Sequence, residues 1–305
     1  MDDLACDLDI AIPEMGDAPE SGMGDTPVLF DERAGDDVPA ANTPASTCIA
    51  FQGVHGGAGV TSLAVQTAYS FAQAKRGNVC LVDLDFSFGA VAHYLDIGIV
   101  PEVTDFRVGP SSMDRNYFRA LLSDHEAGFS VLGSPAAVGG NDAVNPATVL
   151  QMLDLVTEMF PIVVLDVPRG HRAWVEAAML AADRACLVTE LTIPALHATR
   201  LRLEGLRARA GHPTDVVLSK YERRSFKASI RRPDAERALG QDVAGVIGWD
   251  AQSPLEGMNC GEPAGRIHAD SRYTRDVGTL VRALSPQLAE RRKRRSPLGR
   301  LARRA

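Results

Sequence analysis

Between residues 53 and 62 the chain reads Gly53-Val54-His55-Gly56-Gly57-Ala58-Gly59-Val60-Thr61-Ser62, a glycine-rich stretch closed by two hydroxyl residues. Closely spaced glycines let a backbone turn its N–H groups toward an anion. A helix beginning just after them adds the positive end of its dipole. Such a loop would cradle phosphate with Gly56, Gly57, Ala58, Gly59, Val60, Thr61 and Ser62. Thr61 is placed to offer its hydroxyl to Mg²⁺. Downstream, Asp83 and Asp166 each end an apolar run, and Asp85 follows Asp83 in an Asp-Leu-Asp triplet. Each signal has a plain alternative, since a glycine turn can serve tight packing and an aspartate can cap a helix. Their occurrence in one chain, in this order, favours nucleotide chemistry.

For these groups to meet, the loop must leave a strand and enter a helix. Cys48-Ile49-Ala50-Phe51 predicts a buried strand before the loop, and an amphipathic helix over about 61–75 follows it. Further apolar runs predict strands at 79–82, 129–132, 162–165, 185–188, 216–218 and 243–247. Helices are expected over about 146–159, 172–181, 234–239 and 271–284. Another begins near Pro194, whose fixed φ suits a first turn. Continuous apolar strands alternating with such helices imply a parallel sheet covered on both faces. The expected fold class is α/β, a doubly wound, mostly parallel sheet of about seven strands. In such sheets ligands bind at the carboxyl ends of strands, where the glycine loop, Asp83 and Asp166 all fall.

Composition sets the bounds. With 305 residues, 45% of them hydrophobic, the chain can fill a sizeable core. No stretch approaches the ~20 apolar residues of a membrane-spanning helix, and no basic region precedes an apolar run at the start. The expectation is a cytoplasmic protein. Cys6, Cys48, Cys80, Cys186 and Cys260 are scattered and read as reduced thiols. The histidines form no metal-spaced cluster, and no G-x-S-x-G elbow supports a serine hydrolase. The net charge of -7 conceals an acidic start and a basic end. Expected units are therefore a disordered acidic leader (1–46), a phosphate-loop domain (47–288) and a basic tail (289–305).

The glycine loop resembles that of the deviant P-loop ATPases of the ParA/MinD family, which reads KGGxGK[ST]. Gly56, Gly57, Gly59 and Thr61 match it. His55 stands where the family has a lysine that reaches the partner's nucleotide across a dimer. Val60 stands where it has the lysine that grips the β- and γ-phosphates. Valine brings neither donor nor charge, so a charge-assisted bond worth about 1.5–3 kcal/mol is gone. Val82-Asp83-Leu84-Asp85-Phe86-Ser87-Phe88-Gly89 is similar to the family's switch segment, and Leu165-Asp166-Val167-Pro168-Arg169 to its second acidic strand. The resemblance implies that Asp83 and Asp166 attend Mg²⁺, Asp166 through water, and that Asp85 bears on the attacking water as the catalytic residue. The implied cofactor is ATP or ADP with Mg²⁺. Lys220 occupies the place of an asparagine near the adenine, and Trp249 that of a proline-containing segment.

Within that family the chain most resembles the CpaE/TadZ group of Flp (tight-adherence) pilus assembly. The resemblance covers roughly residues 47–285 and is carried by residues 83–96, 188–200, 218–222 and 253–263. It implies a localisation or scaffold protein with weak or absent ATP hydrolysis, a homodimer around nucleotide, pilus-assembly or secretion partners, and a place at the cell pole or membrane. Typical members carry a receiver-like domain ahead, which 46 polar residues cannot form. The alternative is a working ParA/MinD-type ATPase in which Arg169 or Arg172 replaces the lysine. A third possibility is a membrane- or DNA-surface binder. For the tail, Arg291–Arg295 followed by Arg300, Arg303 and Arg304, a solvated charge run is the default reading. An anionic membrane comes second and DNA third; Pro297 and Gly299 argue against a membrane helix.

Overall fold

The computed structural model describes residues 46–75, 79–107, 113–209, 212–222 and 230–284. The basic tail, and all of the acidic leader except Ser46, lie outside the described residues. So does Met1–Asn42, one of two compact units; every described residue belongs to the other, Thr43–Ala305.

That unit is built on one sheet of β1 (Thr47–Gly53), β2 (Val79–Asp83), β3 (Ser123–His125), β4 (Phe129–Leu132), β5 (Ile162–Val167), β6 (Arg184–Thr189), β7 (Thr214–Tyr221) and β8 (Gly245–Gly248). Their spatial order is β3-β4-β2-β5-β1-β6-β7-β8. All neighbours run parallel except β3, which pairs antiparallel with β4. The fold is thus the expected doubly wound α/β sheet, with one more strand than expected. Ser123-Asp124-His125 has no apolar run to announce it, because an edge strand with one partner needs none.

The layers follow from strand alternation. On β1, Cys48 and Ala50 enter one core while Ile49 and Phe51 enter the other. The second core is covered by α1 (Val60–Lys75) and by α12 (Arg272–Leu284), through Phe71, Leu280 and their neighbours. The first is closed by α6 (Pro146–Met159), α7 (Ala173–Ala181), α8 (Ile193–Ala208) and α9 (Arg232–Leu239). The long helices start where capping chemistry permits. Asn145 accepts from Ala147 N–H ahead of Pro146, and Thr192 accepts from Ala195 N–H ahead of Pro194. Helix α9 ends at Gly240, whose φ of 66° only glycine adopts without penalty.

Short helices fill the connections: α2 (Val91–Tyr94), α3 (Val103–Arg107), α4 (Arg115–Ala120), α5 (Gly140–Ala143), α10 (Gln252–Asn259) and α11 (Ala264–Ile267). None of these was expected; most hold little more than one turn, too little for a period to emerge. No helix among the described residues is long and apolar enough to cross a membrane.

Candidate functional site

Register brings the acidic groups together. Asp83 on β2 lies directly beside Asp166 on β5, and β5 also pairs with β1, the strand that feeds the glycine loop. Both side chains are buried, with 1% and 6% exposure. Asp83 accepts from Asp85 N–H at 3.0 Å and Val91 N–H at 3.1 Å. The Thr61 hydroxyl on the first turn of α1 hydrogen-bonds the Asp166 carboxylate. Burial pushes Asp166 up to about 6, with the Asp85 charge adding to the rise and the Thr61 bond opposing it. Burial, reinforced by the Asp166 charge, also holds Asp83 well above the usual carboxylate range. Two desolvated acids beside a hydroxyl are held at a cost that a divalent cation would offset.

The loop itself is open. Gly57 and Gly59 have φ of 76° and 80°, and a Cβ added to either would meet nothing within 4 Å. Helix α1 begins as Leu63 N–H bonds Gly59 C=O, leaving the preceding N–H groups at the helix start. Ala58 is buried beneath the loop. Val60 lies against the second core, its Cγ2 2.9 Å from where a Cβ on Gly53 would sit. Val60 thus presents an aliphatic side chain folded toward the base of the loop. Ser62 hydrogen-bonds Tyr94, whose hydroxyl also donates to the Pro254 carbonyl of α10 at 3.2 Å. His55 Nδ1 bonds the Gly56 carbonyl at 3.0 Å, which leaves its buried Nε2 without a partner.

The chemistry of this donor set fits a polyphosphate with Mg²⁺. Thr61 and Asp166 would hold the cation with Asp83 nearby, and the loop N–H groups would face the phosphates. Mg²⁺ typically keeps water and takes one or two carboxylates plus substrate phosphates. No group of three His, Cys, Asp or Glu side chains among the described residues could hold a metal by itself.

Asp85 is differently placed. Its Oδ1 accepts from Ser87 N–H at 3.2 Å, Phe88 N–H at 3.0 Å and Asn141 Nδ2 at 2.8 Å. Asn141 is fixed in turn by the Ser87 hydroxyl, which accepts its N–H, and by Trp174 Nε1, which donates to its carbonyl at 3.0 Å. This clamp was invisible in the sequence. Asn141 lies far along the chain in the short helix α5, with no motif around it.

Lys220 sits at the end of β7 with φ of 51°, its Nζ 2.9 Å from Glu190 and 5.6 Å from the centroid of the Trp249 ring. A buried network also escaped the sequence reading. Arg202 Nη1 donates to Glu176 at 2.5 Å, and its Nε to Gln52 Oε1 at 2.8 Å. Gln52, one residue before Gly53, donates to the Pro168 carbonyl at 2.9 Å.

No family model and no curated protein matches the chain. Solved structures do. The ParA family ATPase of Chlorobium tepidum matches with a TM-score of 0.70 at 16% identity, over 78% of this chain and 99% of its own. The cell division ATPase MinD of Pyrococcus furiosus matches at 0.68 and 19%, over 79% and 99%. The septum site-determining protein MinD of Pyrococcus horikoshii, solved complexed with Mg-ADP, matches at 0.65 and 18%, over 77% and 94%. At these identities the likeness is one of fold.

Proposed function

We propose that this chain is a ParA/MinD-type nucleotide-responsive localisation or scaffold protein, of the CpaE/TadZ kind that serves Flp pilus assembly, with weak or absent ATP hydrolysis. One observation carries this reading: Val60, packed against the core, fills the position of the phosphate-gripping lysine, while the backbone cradle and the Thr61, Asp83 and Asp166 cluster remain. The cradle supports binding of ATP or ADP with Mg²⁺, and the lost cation removes charge stabilisation that phosphoryl transfer requires. Asp85 Oδ1 accepts from three donors, which supports a role in holding this segment in place.

A homodimer in the cytosol or on an anionic membrane, with pilus-assembly or secretion partners, completes the proposal. Phe88, Val138 and Ile193 support a covered face. All three are strongly exposed apolar side chains, on segments that leave the carboxyl ends of β2, β4 and β6.

Steady-state phosphate release from Mg-ATP tests the chemistry: wild type and Asp85→Ala should be equally slow. A rate that Asp85→Ala abolishes would instead establish the working ATPase, a reading favoured by the intact cation cluster. Deleting the chain from its host should remove surface pili, and unaltered piliation would sink the pathway assignment.

A further inference from the structure

We infer that Arg169 is the cation that grips phosphate in this site, delivered from the end of β5 instead of from within the glycine loop. The inference rests on the nucleotide reading above. It names the residue that takes over the task Val60 cannot perform.

Three observations converge on it. Arg169 leaves β5 two residues after its last residue, and its Nη1 lies 3.8 Å from where a Cβ on Gly56 would sit. The guanidinium therefore stands beside the loop's exposed glycine face. Arg169 is exposed, and no ion pair engages it among the described residues. Arg172, the other candidate, is committed elsewhere: its Nε donates to Asp142 at 2.7 Å. Between the two arginines stands Gly170, whose φ of 127° lies in a region that favours glycine. Finally, the backbone carrying Arg169 is tied to the strand that carries the loop. Gln52 donates to the Pro168 carbonyl, and Gln52 is itself held by the buried Arg202. The backbone from which Arg169 projects is thus fixed relative to the strand that feeds the loop, while its side chain stays free to meet a ligand.

The ligand class is the terminal phosphates of a nucleoside di- or triphosphate. A planar guanidinium can meet two phosphate oxygens at once, which an ammonium cannot. Arg169 is here a binding residue; it restores affinity without restoring the loop geometry on which turnover depends.

Titration calorimetry of the full chain with Mg-ADP and Mg-ATPγS tests this. Arg169→Ala should weaken binding about 10- to 100-fold, and Arg169→Lys should fall between it and wild type. Arg172→Ala should bind as wild type does. Adding Val60→Lys to Arg169→Ala should recover most of the loss. Binding by Arg169→Ala within twofold of wild type would overturn the inference and leave the nucleotide reading standing. So would an equal loss in Arg172→Ala, which would mark a diffuse field rather than a specific grip. If neither wild type nor Val60→Lys binds either nucleotide, the nucleotide reading falls and takes this inference with it.

Discussion

Replacing Asp166 by asparagine should stabilise the nucleotide-free protein, although it removes a side chain central to the site. Burial raises the Asp166 carboxyl from 3.8 to about 6. At 1.36 kcal/mol per pKa unit, its ionised form costs about 3 kcal/mol more in the fold than in the unfolded chain. The sign follows from proton counting. Between pH 4 and 6 the folded state holds more protons than the unfolded state, so this group's stability contribution falls as pH rises and is flat above about pH 7. Asparagine keeps an acceptor for the Thr61 hydroxyl and removes the charge that lifts Asp83. Allowing for imperfect replacement, about 1–3 kcal/mol should return at pH 7.5, or roughly 3–10 °C in melting midpoint for a domain of this size. Thermal melts of both proteins in EDTA, from pH 4.5 to 8, read this directly: the gap should open between pH 4 and 6.5. Adding MgCl₂ together with ADP above pH 6 should raise the wild-type midpoint and leave Asp166→Asn nearly unmoved. Parallel pH profiles, or a variant less stable at every pH, would refute the assignment of strain to this pair.

Three other outcomes follow from the packing. Gly140→Ala should cost about 3 kcal/mol or more, because a Cβ there would land on the Phe86 carbonyl; urea unfolding measures it. Arg202→Ala should cost about 1.5–3 kcal/mol by removing the nearest cation from buried Glu176, which keeps Arg209 at 3.7 Å and His171 at 3.3 Å. The paired change of Arg202 and Glu176 to methionine should recover much of that, and a double variant no better than the single would count against a mainly electrostatic penalty. Trp174→Phe should lose about 1 kcal/mol with the indole bond to Asn141, together with a change in the Asn141 amide signals by NMR.

The sheet was legible because its strands are short, wholly apolar and separated by periodic helices. The runs at 48–51, 162–165 and 185–188 are buried from end to end, so hydrophobicity alone announced them. Strand β3 was not legible, since its pairing is set by its one neighbour, β4, rather than by its own composition. At the site, the loop and strand-end aspartates were visible because their spacing is local. The clamp on Asp85 and the strut from Gln52 to Pro168 join residues 56 and 116 positions apart, and no local pattern encodes such partners. The two arginines after β5 looked equivalent in sequence; their partners differ, Arg172 meeting Asp142 and Arg169 standing beside Gly56.

The borders of the sheet limit how copies of this chain can grow. On one side stands β3, three polar residues carrying an acid and an imidazole, which offers an incoming strand almost no backbone to zip onto. On the other, β8 ends at Gly248, whose N–H is already given to Asp276 of α12. Strand addition therefore finds almost no backbone at β3 and meets an already engaged N–H at the end of β8.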